Sequence, residues 1–196
     1  MKTAVAKLTS ESPYSQSRHY SSDAVPKLNK EGADAYERRT WRHRMHVTKD
    51  GYVEIPGTAF ANALKESAKR LKLQVPGKGR VEYTKYFEAG VMVIDGVKLA
   101  VKAADVKAEE LFVSSDGRRG GGKRVTKFFP RIESWSGDVT FYVLDDIITE
   151  EIFARVLVGA GMVVGIGRFR PQSCGFYGRF SVDSIAWSDD QEVAAQ

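Results

Sequence analysis

Val139-Thr-Phe-Tyr-Val-Leu-Asp-Asp-Ile-Ile-Thr-Glu-Glu-Ile-Phe-Ala-Arg-Val-Leu-Val-Gly159 sets a strand directly before a helix. Val139–Leu144 alternates, with β-branched and aromatic side chains, at the period of a half-buried strand. Thr149 then stands ahead of Glu150 and Glu151, so a capping hydroxyl and two carboxylates meet the positive end of a helix. Ile148 and Phe153 are spaced as a hydrophobic staple across that start, and the helix is expected to stop at Gly159 or Gly161. Residues 178–187 read as a closing strand. A strand–helix–strand unit of this kind needs a second one beside it to cover its sheet.

Residues 3–9 supply the first strand of that second unit, and Ala59 to about Leu73 its helix, with Thr58 placed as cap and Phe60, Leu64, Ala68 and Leu71 on one stripe. Lys65, Lys69 and Lys72 fall off the stripe and read as a solvated face. Residues 90–94 and 97–101 flank Asp95-Gly96, the signature of a two-residue hairpin. The resulting order predicts an α+β fold: a ferredoxin-like or RNA-recognition-motif-like antiparallel sheet with two helices on one face. The whole chain, 1–196, is expected to be one domain carrying two insertions.

Those insertions are a polar segment at about 10–37, which lacks helical or strand periodicity, and a basic one at about 102–133. Between the first of them and the helix, Arg38–Val47 alternates, predicting a strand with Trp41, His43, Met45 and Val47 facing the core and Arg42, Arg44 and His46 facing out. The outward set is a candidate lining for the free face of the sheet, where RNA-recognition folds stack bases. Within the second insertion, residues 118–131 hold Arg118, Arg119, Lys123, Arg124, Lys127 and Arg131 and no acid, predicting an exposed flexible finger. Phe128 and Phe129 beside Lys127 are candidates to stack on or wedge bases.

Residues 159–178 form the third irregular stretch, a glycine-rich loop between helix and closing strand. Gly165 and Gly167 allow positive φ and close backbone approach, and Arg168, Arg170 and Arg179 bring planar donors suited to phosphates. A second phosphate grip is predicted at Pro56, Gly57 and Thr58, where backbone amides open a helix. A net charge of +5 and a sequence pI near 9.2 suit a polyanionic partner.

Other chemistries find less support. Cys174 is the single cysteine, so neither a disulfide framework nor a multi-cysteine zinc site can form, and His19, His43 and His46 have no metal-ligand spacing. No nucleotide-cofactor motif is present, so no metal and no cofactor is expected. The N-terminus is too short and polar for a secretion signal, and the apolar run near Ile152–Ile166 is broken by Arg155 and glycines, so a cytoplasmic protein without membrane contact is expected.

Two segments resemble the RAMP superfamily of CRISPR-associated RNA-binding proteins, and most closely its guide-RNA backbone subunits. Ile55-Pro-Gly-Thr-Ala-Phe-Ala-Asn-Ala-Leu-Lys65 is similar to the family stretch that opens its first conserved helix, and Gly161–Phe180 is similar to the family's C-terminal glycine-rich loop. Tyr177 departs from the pattern by standing where the family has glycine. The resemblance implies a modified RNA-recognition fold that holds a single strand by its backbone and often assembles along it, with the basic insertion as a protruding thumb. The expected partners are single-stranded RNA, or single-stranded DNA, and further copies of the chain or other CRISPR-type subunits. A non-enzymatic binding subunit is therefore the leading expectation. The alternatives are a metal-independent, guide-processing endoribonuclease using His19 or His46, and a protein-interaction mimic of such a subunit.

Overall fold

The computed structural model describes residues 1–21, 23–115 and 122–189. In chain order its elements are β1 (Lys2–Ser10), β2 (Tyr14–Ser15), α1 (Ala33–Thr40), β3 (Tyr52–Ile55), α2 (Gly57–Leu71), α3 (Thr84–Ala89), β4 (Val91–Met92), β5 (Val97–Lys102), β6 (Lys107–Ser114), β7 (Arg124–Ile132), β8 (Ser136–Val143), α4 (Glu150–Gly159) and β9 (Phe180–Asp189).

Four of the strands pair in the order β4-β8-β1-β9, every neighbouring pair antiparallel. With α2 between β1 and β4, and α4 between β8 and β9, this is the ferredoxin-like arrangement expected from the sequence. Ala4, Ala6 and Leu8 of β1 and Val139, Phe141 and Val143 of β8 point to the helix side and are buried. Phe60 and Leu64 of α2 and Phe153, Val156 and Leu157 of α4 fill the same core. The Phe153 ring lies 5.2 Å from Phe141 and 5.6 Å from Trp187. Each fully buried Leu or Phe here contributes about 1.5–3 kcal/mol of hydrophobic transfer. The Ser67 hydroxyl donates to the Val156 carbonyl at 2.7 Å, tying α2 to α4.

Thr149 caps α4 as expected, accepting from the Ile152 amide at 3.4 Å, and Ile148 and Phe153 are both fully buried. The helix runs on into a π-turn at Ala160–Val164 before the glycine-rich loop. α2 begins two residues earlier than predicted. Pro56, with its fixed φ, is its N-cap, no side chain caps it, and Thr58 lies inside the helix.

Three expectations are corrected. Arg38–Val47 is not a strand: α1 ends at Thr40 and a 3₁₀ turn covers Trp41–Arg44. Trp41 and Met45 are buried, and that spacing satisfies a helical turn as well as an alternation, while Arg38 and Arg39 sit favourably at the negative end of α1. Val47 and His43 are exposed rather than in the core. The free face of the four-stranded sheet therefore does not carry Arg42, Arg44 and His46. Val5, Lys7 and Asp138 lie exposed on it instead.

Residues 90–101 are not a hairpin either. β4 pairs with β8 and β5 pairs with β3, so Asp95-Gly96 crosses between two sheets. A Cβ on Gly96 would come 2.7 Å from the Ile55 carbonyl, and that approach accounts for the glycine that imitated a turn signal.

Most of the basic insertion is strand, in β6 and β7, and not a flexible finger. β6 and β7 pair from Lys107↔Arg131 to Ser114↔Arg124, and β2 joins the far side of β7. Arg118 and Arg119 lie outside the described residues. Phe128 and Phe129 are each only 4% exposed, so neither offers a face to a base. α1 and the 3₁₀ turn cover them, with the Arg38 guanidinium 4.6 Å from the Phe128 centroid and that of Arg44 4.9 Å from Phe129. The polar segment thus contains a helix whose partner is the hairpin.

Candidate nucleic-acid interface

A cleft of about 680 Å³ opens where the chain after β2, the start of α2 and the glycine-rich loop converge. Pro56, Ala59 and Asn62 form its α2 wall, Gly165–Arg168 and Arg170 the opposite wall, and Gln16–Arg18 with His46 the end. The two sequence segments that carry the family resemblance thus meet across one space.

The loop is held in place by its own backbone. Arg168 donates its amide to the Ser15 carbonyl at 2.9 Å, Ile166 to Gly178 at 2.9 Å, and Gly178 to Pro13 at 2.8 Å. Gly167 has φ +73°, and a Cβ there would run into the Ser15 carbonyl and the Tyr14 ring. Its glycine is required by the chain's own crossing. Gly57 behaves alike: a Cβ would sit 2.8 Å from the Asp95 carbonyl, so its close approach is to the chain and not to a ligand. Gly165, at φ +71°, still lines the cleft.

Gln16, nearly fully buried, stitches the end of the cleft. Its Nε2 donates to the Glu54 carbonyl at 2.7 Å and its Oε1 accepts from the His46 amide at 2.6 Å. The His46 ring is half-buried, and burial followed by the nearby Arg18 charge lowers its pKa, favouring the neutral imidazole. Arg170 donates to Gln172 Oε1 at 3.2 Å and to the Gly167 carbonyl at 3.2 Å, and Gln172 donates to Glu66 at 2.8 Å. Lys65 approaches Glu88 at 3.5 Å with both side chains substantially exposed. Arg18, Lys65, Arg168 and Arg170 give the cleft four cations against the one carboxylate of Glu66.

Arg168 is used in two ways. Its guanidinium lies 3.4 Å from the Phe129 centroid and 4.2 Å from that of Phe169, and burial pulls its pKa down to about 10, leaving it charged at neutral pH. Its Nη1 is buried without a hydrogen-bond partner.

The remaining predicted residues scatter. Arg44 pairs with Glu37 at 2.6 Å beside the cleft, and Arg42 lies 4.4 Å over Trp41, reaching the Ala104 carbonyl at 3.5 Å. Arg179 donates to the Met162 and Phe176 carbonyls at 3.3 and 3.0 Å, bracing the loop from outside the cleft. Thr58 is exposed outside the cleft lining. Arg124 donates to the Phe112 carbonyl at 2.6 Å and Lys127 to that of Ser115 at 3.2 Å, while Lys123 is exposed near the hairpin tip. His19 lies in an adjoining hollow. Gln16, Ser17, Arg18, Asn62, Lys65, Glu66 and Gln172 line the cleft without having been predicted. Asn62 and Glu66 follow Ala59 at helical spacing and were findable on that signal, whereas Lys65 reads as a solvated face and nothing in Ser17-Arg18 marks them. Among the described residues no cluster of His, Cys, Asp or Glu is arranged to hold a metal ion, and no helix is long and apolar enough to cross a membrane.

No family model and no curated protein matches the sequence. Among solved structures the chain is similar to one in the cryo-EM structure of the Type III-B Cmr-beta bound to cognate target RNA, at 10% identity and a TM-score of 0.51, over 95% of this chain and 60% of the length of that one. It also aligns with the crystal structure of Cmr6 from Pyrococcus furiosus at 15% identity and a TM-score of 0.48, over 93% of this chain and 99% of the other. The likeness is one of fold. The architecture found is the α+β, ferredoxin-like fold that the sequence predicted, shared in outline with that Cmr-beta chain.

Proposed function

We propose that this chain binds a single strand of RNA along the cleft between α2 and the glycine-rich loop, as a guide-RNA-holding subunit of a CRISPR-type ribonucleoprotein. One observation carries the reading: the two motif-bearing segments converge on a cleft with four cations and one carboxylate. The start of α2, which has no side-chain cap, turns the positive end of its helix dipole toward the cleft at Pro56 and Ala59, whose amide donates to the Pro56 carbonyl at 2.9 Å. Arg18, Lys65 and Arg170 border the same space and suit neighbouring phosphates. Backbone contacts of this kind leave base identity to pairing with another strand. The cleft is short, so a longer strand calls for further copies of the chain or other subunits beside it. A resemblance of fold to a chain of an RNA-bound Cmr assembly supports the same role.

The endoribonuclease alternative rests on His46, a neutral imidazole lining the cleft and so able to accept a proton. Titrating labelled single-stranded RNA and the matching DNA across a salt series, and running the bound RNA on a denaturing gel, tests both. Salt-sensitive RNA binding with intact product supports the holding role, and cleavage lost in His46→Ala supports the nuclease. Absence of affinity for either strand refutes both and leaves the protein-mimic reading.

A further inference from the structure

Beside the cleft lies a second hollow of about 310 Å³, lined by Ser17, Arg18, His19, Tyr20, Tyr36 and Arg44. It shares Ser17 and Arg18 with the cleft, so a strand held there can turn one group into it without leaving the surface.

Two phenol rings, an imidazole and two guanidiniums form the lining, all flat groups able to pack on a planar ligand, and the volume falls at the small end of ligand sites. The phenols are fixed by their hydroxyls. That of Tyr20 lies 3.0 Å from Thr40 Oγ1, which donates to the Tyr36 carbonyl at 2.8 Å, and the Tyr36 hydroxyl donates to the Val25 carbonyl at 2.8 Å. Arg44 is held through one terminal nitrogen by Glu37 at 2.6 Å, its side chain 12% exposed. Its Nε–H is buried with no hydrogen-bond partner, a donor that a ligand acceptor would satisfy.

We propose that this hollow receives one nucleobase of the strand in the cleft, packed against Tyr20 and Tyr36 with an acceptor on its edge facing the Arg44 Nε–H. The assignment rests on the single-strand reading of the cleft. It gives the segment before α1 a role: that segment and α1 form the walls of a base pocket, which the hairpin phenylalanines, being buried, do not provide.

The test compares binding of a short oligouridine with a ribo-abasic strand of the same length, which keeps every phosphate and lacks every base. Wild-type protein should bind the oligouridine about tenfold more tightly. In Tyr20→Leu and, separately, Tyr36→Leu that ratio should fall toward one, while affinity for the abasic strand and its salt dependence stay unchanged. Photocross-linking of wild-type protein to oligo-4-thiouridine gives a readout free of any folding defect, with adducts expected on Tyr20 or Tyr36. Equal affinity of wild-type protein for the two strands, or adducts confined to other residues, overturns the pocket while leaving the cleft intact. Failure of both strands to bind overturns the cleft itself.

Discussion

His46 couples the cleft to pH in two opposed ways. Burial and the Arg18 charge hold its folded-state pKa below the ordinary value near 6.5, so the unfolded chain binds the proton more readily. As pH falls through 6.5 the unfolded state takes up more protons, and the folded state loses stability until its own, lower pKa is passed. A phosphate beside the ring works the other way, raising the pKa, so RNA binding takes up a proton and strengthens on acidification. Wild-type protein should therefore bind RNA more tightly at about pH 6 than at about pH 8 while its urea midpoint falls, and His46→Gln should flatten both trends. RNA affinity that varies equally with pH in wild type and His46→Gln would remove the imidazole from the phosphate path. His19 and His43 remain in the variant, so the comparison isolates His46.

At the scale of elements, the hairpin and the glycine-rich loop are locked to each other. Tyr177 donates its hydroxyl to Glu109 at 2.5 Å, and Arg131 reaches the same carboxylate oxygen at 3.4 Å. Phe129 of β7 lies under Arg168 of the loop. Tyr177, the residue that departs from the family pattern, is thus the link from loop to β6. Tyr177→Phe keeps the ring and removes one bond to a carboxylate, which should cost about 1.5–3 kcal/mol in urea unfolding. An unchanged unfolding curve would show that the Tyr177–Glu109 bond does not hold the loop to the hairpin. This locking also explains which elements are legible in the sequence. α4 carries its own cap, staple and first-turn acids, and α2 its stripe, so local chemistry specifies both. The hairpin's Phe128 and Phe129 are buried under Arg38 of α1 and Arg44 of the 3₁₀ turn, and packing between distant segments leaves no local period to read. The Arg38–Val47 stretch imitates a strand because Trp41 and Met45 fit either period.

For the whole molecule, the charge that matters is gathered where the chain's ends and middle meet. The cleft joins residues near 16, 46, 59 and 167, separations at which sequence shows which segments are basic or glycine-rich but not which share a space. The two motif segments are legible as a pair. Arg18 and Lys65 are not, since one sits in a polar segment and the other reads as a solvated helix face. The hairpin offers a competing basic surface in Lys123, Arg124 and Lys127, of which two already donate to backbone carbonyls of their own hairpin. Removing one cation from the phosphates of a single strand lowers the log–log salt slope by about 0.7. Arg18→Gln with Lys65→Gln should thus reduce the slope by about 1.4 and weaken binding at low salt. Neutralising Lys123, Arg124 and Lys127 should leave the slope for a strand just long enough to fill the cleft unchanged, and reduce it only for longer strands that reach the hairpin. The reverse pattern, with the short strand indifferent to Arg18 and Lys65 yet sensitive to the hairpin, would move the RNA path off the cleft and onto β6 and β7.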